Sequence, residues 1–342
     1  MANIVDIAAQ FREALIRQDG AALAEMARRW LAVETLMLAD TERLIEQVQA
    51  MKAEGATAEQ IRWRLARLDI YQQLLAQIGQ QLAVYNRRAA GDIEAESEQA
   101  RELAREHAAG YVQAVSNGRV TLSTANLPVG AVENIAAIAR GNQPLYNLLS
   151  NAYPAAVQGI TNELLYGTAV GRNPRETARA IVRKGLAPGL NHILLVARDQ
   201  QIRNYREMTR TLYDRSEAVT GYARLAAKNK RTCLACLALD GTVYETNELM
   251  ALHPQDRCSL VPIVAGFPRP QFQSGEDWFR RQPPAVQREM MGPRRYQAWQ
   301  DGRFRFGQLA TVTENETWGP NAQVTAVSDL LAGRGGVERE RV

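Results

Sequence analysis

The residues with the most chemistry to offer are Cys233, Cys236, His253 and Cys258, all three cysteines of the chain and one of its three histidines within 26 positions. Three thiols and an imidazole are donor types that Zn²⁺ favours. A C-x2-C pair, sixteen residues, then H-x4-C can close one tetrahedral site. The two-residue gap lets one tight turn aim both sulfurs at an ion. The same side chains also fit free, half-buried thiols in a reducing cytosol, a Cys233–Cys236 disulfide, or another metal. A catalytic zinc of the base-deaminase kind is excluded by pattern. It needs a glutamate two residues after the ligand histidine, whereas His253 is followed by Pro254-Gln255. No second element fixes a His–Cys pair for nucleophilic catalysis.

The elements that must position these groups follow from periodicity. Asp240-Gly241 is a hairpin-turn signal with strand formers Thr242, Val243 and Tyr244 behind it, so the cluster reads as a metal-tied β-hairpin. Ahead of it, His192 to about Leu225 is expected to be one helix. Ile193, Val196, Ile202, Tyr205, Met208 and Leu212 form its apolar side, and Arg198, Arg203, Arg206, Arg210 and Arg215 its basic side. Residues 3–18 predict an amphipathic helix on Ile4, Ile7, Phe11 and Leu15, stopped by Asp19-Gly20. A second helix spans about 21–52, with Leu23, Met26, Trp30, Met37, Leu44 and Val48 on one side and Gly55 as its stop. Thr57-x-x-Gln60 is a capping box opening a third helix, with Ile61, Leu65, Leu68, Leu75, Leu82 and Tyr85 as its seam. Carried on to Asn117-Gly118, that helix would measure about 90 Å at 1.5 Å per residue, with Gly91 as a candidate point of division. Residues 121–188 read as short helices, one of them opened by Asn173-Pro174.

The expected fold class is therefore mainly α with a small α+β C-terminal domain: long N-terminal helices, then a helical domain carrying the Cys/His-tied hairpin. The expected boundaries are 1–118, 119–265 and 266–342. The last part holds Trp278, Phe279, Trp299, Phe304 and Phe306 interleaved with Arg280, Arg281, Arg294, Arg295, Arg303 and Arg305. Such an arrangement serves either single-stranded nucleic acid, stacking on bases while neutralising phosphate, or an aromatic mini-core with a charged rim. Residues 324–342 are expected to be a mobile tail.

Composition sets the limits. With 46% apolar and 23% charged residues the chain is a folded protein, not a disordered one. No apolar run approaches a membrane span, and the first residues are no signal peptide, so synthesis and folding in the cytoplasm are expected. The net charge of +4 is unevenly spread. Residues 1–110 carry 13 Lys/Arg against 17 Asp/Glu, 198–231 nine against four, and 280–305 seven against two. An acidic front suits a protein partner and a basic rear a polyanion. No phosphate-binding glycine loop, nucleophile elbow or H-E-x-x-H occurs, and His107 and His192 lie apart without ligand spacing, so no enzyme is expected.

Taken in order, Ala197-Arg198-Asp199, Tyr222, the Lys/Arg stretch, Cys233-x-x-Cys236, Asp240-Gly241, His253-Pro254-x-x-Arg257-Cys258 and Pro262 resemble the phage head morphogenesis, or Mu F-like minor capsid, protein family. The resemblance spans roughly residues 160–265. It extends more loosely through Trp278-Phe279 and the segment from Gln287 to Gly292. The family's usual His-Pro-x-Cys-Arg-Cys ending stands here with Asp256 in place of one cysteine, leaving Cys258 as the fourth ligand and Asp256 as a substitute oxygen ligand. The resemblance implies a low-copy structural protein of the virion, inside the head at the portal vertex. It also implies contacts with the portal protein and, without sequence preference, with packaged DNA during procapsid assembly, packaging or ejection. Capsid and scaffolding proteins are further candidate partners. Some relatives of this kind carry a toxin or transferase domain, for which about 80 residues after Cys258 leave little room. A stand-alone zinc-dependent nucleic-acid-binding protein is the remaining alternative.

Overall fold

In a computed structural model, which describes residues 3–124, 127–315, 319–337 and 340–342, helix α1 runs unbroken from Ile4 to Ala53. The expected stop at Asp19-Gly20 is therefore absent. One glycine inside a helix costs about 1 kcal/mol, and the apolar pattern continues on both sides of it. Asp19 is itself buried, with its carboxylate accepting from Arg198 at 2.8 Å. The stop at Gly55 is as expected: Gly55 has φ +88° and its N–H reaches Lys52 O, while Ala56 N–H reaches Met51 O, closing a Schellman pair.

The Thr57 box opens α2 (Ala58–Leu65), with Gln60 N–H on Thr57 Oγ1 at 3.2 Å and Thr57 N–H on Gln60 Oε1 at 2.9 Å. Thr57→Ala should lower the stability of the unit holding α2 by about 1 kcal/mol in urea unfolding; an unchanged midpoint would show the cap to be idle. The chain breaks at 66–68, before α3 (Asp69–Val115), and Gly91 lies inside α3 without dividing it. The break is held by side chains: the Arg67 guanidinium lies 3.7 Å from the Trp63 ring centre, and Gln72 Nε2 donates to Ala66 O at 2.8 Å. Short helices follow as expected: α4 (Val129–Ala139), α5 (Leu145–Ser150), α6 (Ala152–Ala169) and α7 (Pro174–Ala180), the last capped by the Asn173 side chain on Arg175 N–H.

Helix α8 (Ala187–Asp214) ends earlier than expected, and Val219–Leu225 is a strand, β1. Six of its seven residues are buried, so no in–out alternation marks it as a strand. Strand β2 (Val243–Tyr244) and strand β3 (Ser259–Val264) pair antiparallel on either side of β1, in the order β2-β1-β3. Tyr222 faces Tyr244 in one pairing and Pro262 in the other. Between β1 and β2 lies α9 (Leu234–Ala238), so the tied hairpin has a long, partly helical connection. Asp240-Gly241 ends that connection and is not a two-residue hairpin loop.

Beyond β3 come α10 (Gly275–Arg280), α11 (Pro284–Met291), α12 (Pro293–Gln300), the antiparallel pair β4 (Ala310–Asn315) and β5 (Gly319–Val324), and α13 (Val327–Leu331). The architecture is thus mainly α with a small β-containing C-terminal part, as expected.

The chain divides into two compact units: Met1–Gln18 with Ser97–Gln143 and Asp199–Val342, and Asp19–Glu96 with Pro144–Arg198. We call these the sheet unit and the helical unit. The division replaces the expected cuts at 118 and 265, because the long helices each contribute to both units and residues 266–342 belong with the sheet. Gly275 shows how closely: a Cβ there would lie 2.2 Å from Leu237 O, so only glycine lets α10 sit on α9. Leu252 pairs with Asn321 of β5, and the expected mobile tail is ordered where it is described. Glu340 O accepts from Val243 N–H at 2.8 Å and Val342 N–H donates to Gly241 O at 3.0 Å, laying 340–342 along the free edge of β2. Glu338 and Arg339 of that tail lie outside the described residues. In the helical unit, Met26, Trp30, Met37, Leu44, Val48, Leu65 and Leu82 are buried at their expected seams, with Trp30 edge-on to Tyr85 at 5.0 Å.

Candidate metal centre

Cys233 takes the N-cap position of α9, its sulfur accepting from Cys236 N–H at 3.3 Å. One helical turn thereby points both sulfurs the same way. The loop ahead of Cys233 is pinned from below: Lys228, at φ +49°, pairs with the buried Asp240 at 2.8 Å, and Asp240 Oδ1 accepts from Ala226 N–H at 2.7 Å. His253 stands in the loop between β2 and β3, just after Leu252, which β5 holds by two main-chain bonds. Cys258 directly precedes β3.

These elements bring the four expected ligands together. His253 Nε2 lies 3.2 Å from Cys233 Sγ and 3.0 Å from Cys236 Sγ. Donor atoms of Cys233, Cys236 and His253 lie within 4.8 Å of one another, as do those of Cys236, Asp256 and Cys258, with Cys236 common to both sets. Cys236 and Cys258 are buried, while Cys233 and His253 are half-buried.

The donor set fits a thiophilic divalent ion. His253 Nδ1 is 2.8 Å from Pro254 O, which can only accept, so the proton sits on Nδ1 and the bare lone pair of Nε2 points at the two sulfurs. A main-chain carbonyl fixing the tautomer in this way is the usual arrangement behind a metal-binding histidine. Without an ion the sulfurs compete for protons. The bond with Cys233 pushes the Cys236 thiol well up, burial does the same to Cys258, and the bond from Cys236 pulls Cys233 down. Cys233, Cys236 and Cys258 would hold an ion as thiolates, giving up those shared protons.

Asp256 has another occupation. It is buried, its Oδ1 accepting from Arg206 Nη2 at 2.9 Å and Cys258 N–H at 2.7 Å, its Oδ2 from Arg224 Nη2 at 2.6 Å. Burial would raise this carboxyl, but the two guanidinium groups override it and hold it well below the usual carboxylate range. Arg224 and Arg206 are the residues that the spacing did not reveal. Arg206 stood among the expected basic face of α8, and most of that face is consumed internally: Arg198 pairs with Asp19 at 2.8 Å, Arg203 with Asp199 at 2.7 Å and Arg210 with Glu207 at 3.0 Å, while Arg215, just past the helix, is exposed. A fully buried guanidinium on a strand, as at Arg224, has no signal in sequence.

The arginine–aromatic stretch resolves into a core with a charged rim. Phe279 packs on Trp299 at 5.5 Å and on Phe306 at 5.3 Å, and these rings and Phe304 are buried, so they cannot stack on bases. Gln287 is buried beneath them, its Nε2 donating to the carbonyls of Phe279, Arg280 and Gln282 and closing the end of α10. Arg281, Arg294, Arg303 and Arg305 are exposed. Arg280, also exposed, pairs with Glu276 at 2.7 Å and lies 4.8 Å from the Trp299 ring centre. Arg295 is half-buried and donates to Met291 O and Thr325 O.

Elsewhere in the sheet unit, His107 is buried, stacked on Phe11 at 3.8 Å with Nδ1 2.9 Å from Tyr205 OH. Burial lowers its pKa to about 4, against about 6.5 in an unfolded chain. Between those values the unfolded chain binds the extra proton, so this group takes stability away as pH falls from 6.5 to 4. The stability difference between pH 7 and pH 4.5 should shrink in His107→Gln; an unchanged difference in urea titrations would exclude this residue as the cause. His192 Nε2 donates to Leu148 O at 2.7 Å, as a packing residue of the helical unit.

Among the described residues no helix is long and apolar enough to cross a membrane. No protein-family model, curated protein or solved structure matches this chain.

Proposed function

We propose that this chain is a structural protein of a tailed-phage head, a minor capsid protein of the Mu F-like kind whose sheet unit is stapled by zinc held by Cys233, Cys236, His253 and Cys258. The observation that carries the reading is the convergence of those four side chains, in the order the resemblance gives but with Asp256 where the family has a further cysteine, and with His253 Nε2 turned toward two of the sulfurs. In this reading the ion closes the long loops between β1, β2 and β3 and acts as scaffold, not as catalyst. The long helices serve protein partners, the portal protein first among them, with capsid or scaffolding protein as further candidates. The exposed arginines of the 280–305 stretch meet packaged DNA through phosphate, so that contact is independent of sequence.

The test is composition and contact. Purified particles should contain this chain at low copy inside the head at the portal vertex, and it should co-purify with portal protein. Absence from particles would end the reading. A zinc-dependent nucleic-acid-binding protein acting outside the particle is the second reading, favoured by Arg281, Arg294, Arg303 and Arg305 standing exposed on one short stretch. Retention on nonspecific duplex DNA should fall steeply with salt and weaken in Arg294→Ala/Arg303→Ala/Arg305→Ala, with the log–log salt slope shallower by about one unit for each phosphate no longer neutralised. No retention at low salt would leave these arginines as a solvated rim.

A further inference from the structure

Arg224 is the largest charged side chain that the sheet unit buries completely. Its Nη1 donates to Ala251 O at 2.6 Å, and its Nη2 is shared between Asp256 Oδ2 at 2.6 Å and Cys236 Sγ at 3.2 Å. Arg206 approaches from α8, giving Nη2 to Asp256 Oδ1 and both Nε and Nη2 to Cys258 O at 3.0 and 2.8 Å. Each arginine thus reaches both the carboxylate and a cysteine through its Nη2: Arg224 the sulfur of Cys236, Arg206 the main chain of Cys258, which its Nε also holds.

Charge makes this arrangement informative. Asp256 is the carboxylate that pairs with both guanidinium groups, and all three are buried, so the trio by itself carries one positive charge, which is costly in such a place. A divalent ion bound by three thiolates and a neutral imidazole carries one negative charge, and it would lie against Arg224. The two sum to zero. A monovalent ion with the same ligands would leave an excess negative charge. Drawing Asp256 into the coordination sphere would pull a carboxylate off two buried arginines.

We propose that Arg224 is a positioning residue for the metal centre, orienting the Cys236 thiolate and balancing a tris-thiolate, mono-imidazole site for a divalent thiophilic ion, while Asp256 anchors the arginine and stays off the ion. The proposal rests on the metal reading above and adds to it two residues outside the ligand set, with a charge reason for the ligand set and the ion that reading names.

Cobalt(II) titration of the full chain reads all of these, because the sulfur-to-cobalt charge-transfer absorption scales with the number of thiolates bound. The intact chain should show one tetrahedral ion with three thiolates. Arg224→Met should weaken cobalt and zinc binding about 10–100-fold, the usual effect of losing a partner behind a metal ligand. Asp256→Asn should keep the three-thiolate spectrum. If Arg224→Met does not fold by circular dichroism, Arg224→Met/Asp256→Asn keeps the trio's net charge on Arg206 and should still weaken binding, by the loss of the Arg224 bond to Cys236.

Three results would overturn the proposal: two thiolates in the intact chain, a changed coordination spectrum in Asp256→Asn, or undiminished affinity in whichever Arg224 variant folds. Failure of the intact chain to bind cobalt or zinc at all would instead remove the metal reading beneath it, which separates the two failures.

Discussion

If the cluster holds zinc as proposed, Cys236→Ser should abolish tight binding and lower the thermal transition of the sheet unit by about 8–16 °C. Cys236 is the donor common to both triads, so its loss leaves Cys233, His253 and Cys258 without the sulfur that joins them. An ion present at a thousandfold its Kd stabilises the folded state by about 4 kcal/mol. In a unit of this size each kcal/mol shifts the transition by about 2–4 °C. Serine nearly matches cysteine in volume, so the change reports the ion and not a cavity. Calorimetry with and without a chelator checks it. The intact chain treated with chelator should melt where Cys236→Ser melts, and the variant should not respond to chelator. If the intact chain melts at one temperature under both conditions, the structural metal is gone from the account.

Asp256→Ala should be the costliest change next to the centre that leaves all four ligands in place. Removing this carboxylate strands Arg224 and Arg206 in the core, and breaking a buried ion pair from one side costs about 3–5 kcal/mol. The Cys258 N–H loses its acceptor as well. Urea unfolding of the zinc-loaded protein measures the loss, and a midpoint within about 0.5 kcal/mol of the intact chain would show that water reaches these guanidiniums. In the chelator-treated protein, replacing all three charged residues with apolar ones of similar size should cost far less than Asp256→Ala alone, since it is the unmatched charge that is expensive.

Much of this architecture is legible from local rules. The seam through Met26, Trp30, Met37, Leu44 and Val48 is a helical repeat, and every member is buried. Thr57 with Gln60, Asn173 with Pro174, and Gly55 announce helix ends because their chemistry acts within a few residues. The four donors are legible for the same reason, since their types are rare in this chain and crowded.

Reading fails where the deciding contact is distant. Gly20 looks like a stop, but Asp19 is held by Arg198, far along the chain, and the helix continues. The turn between α2 and α3 contains no glycine or proline and is fixed by Arg67 on Trp63 and Gln72 on Ala66. Residues 219–225 satisfy a helical spacing through Tyr222 and Leu225, yet pairing with 243–244 and 259–264 decides the matter. Asp256 reads as a spare ligand until Arg224 and Arg206 arrive from two other elements. The same holds for the basic face of α8, where Arg203, Arg206 and Arg210 are spent on acids inside the fold.

The short run 340–342 has one more consequence. It occupies hydrogen-bonding positions of Gly241 and Val243 that would otherwise face outward at the border of the sheet. Peeling it away would uncover an extended backbone ready to pair with any strand of matching length, and bare sheet borders are where polypeptides aggregate or exchange segments. Those three residues act as a selvedge along the β2 border, so clipping them would leave that border open to a strand from a neighbour.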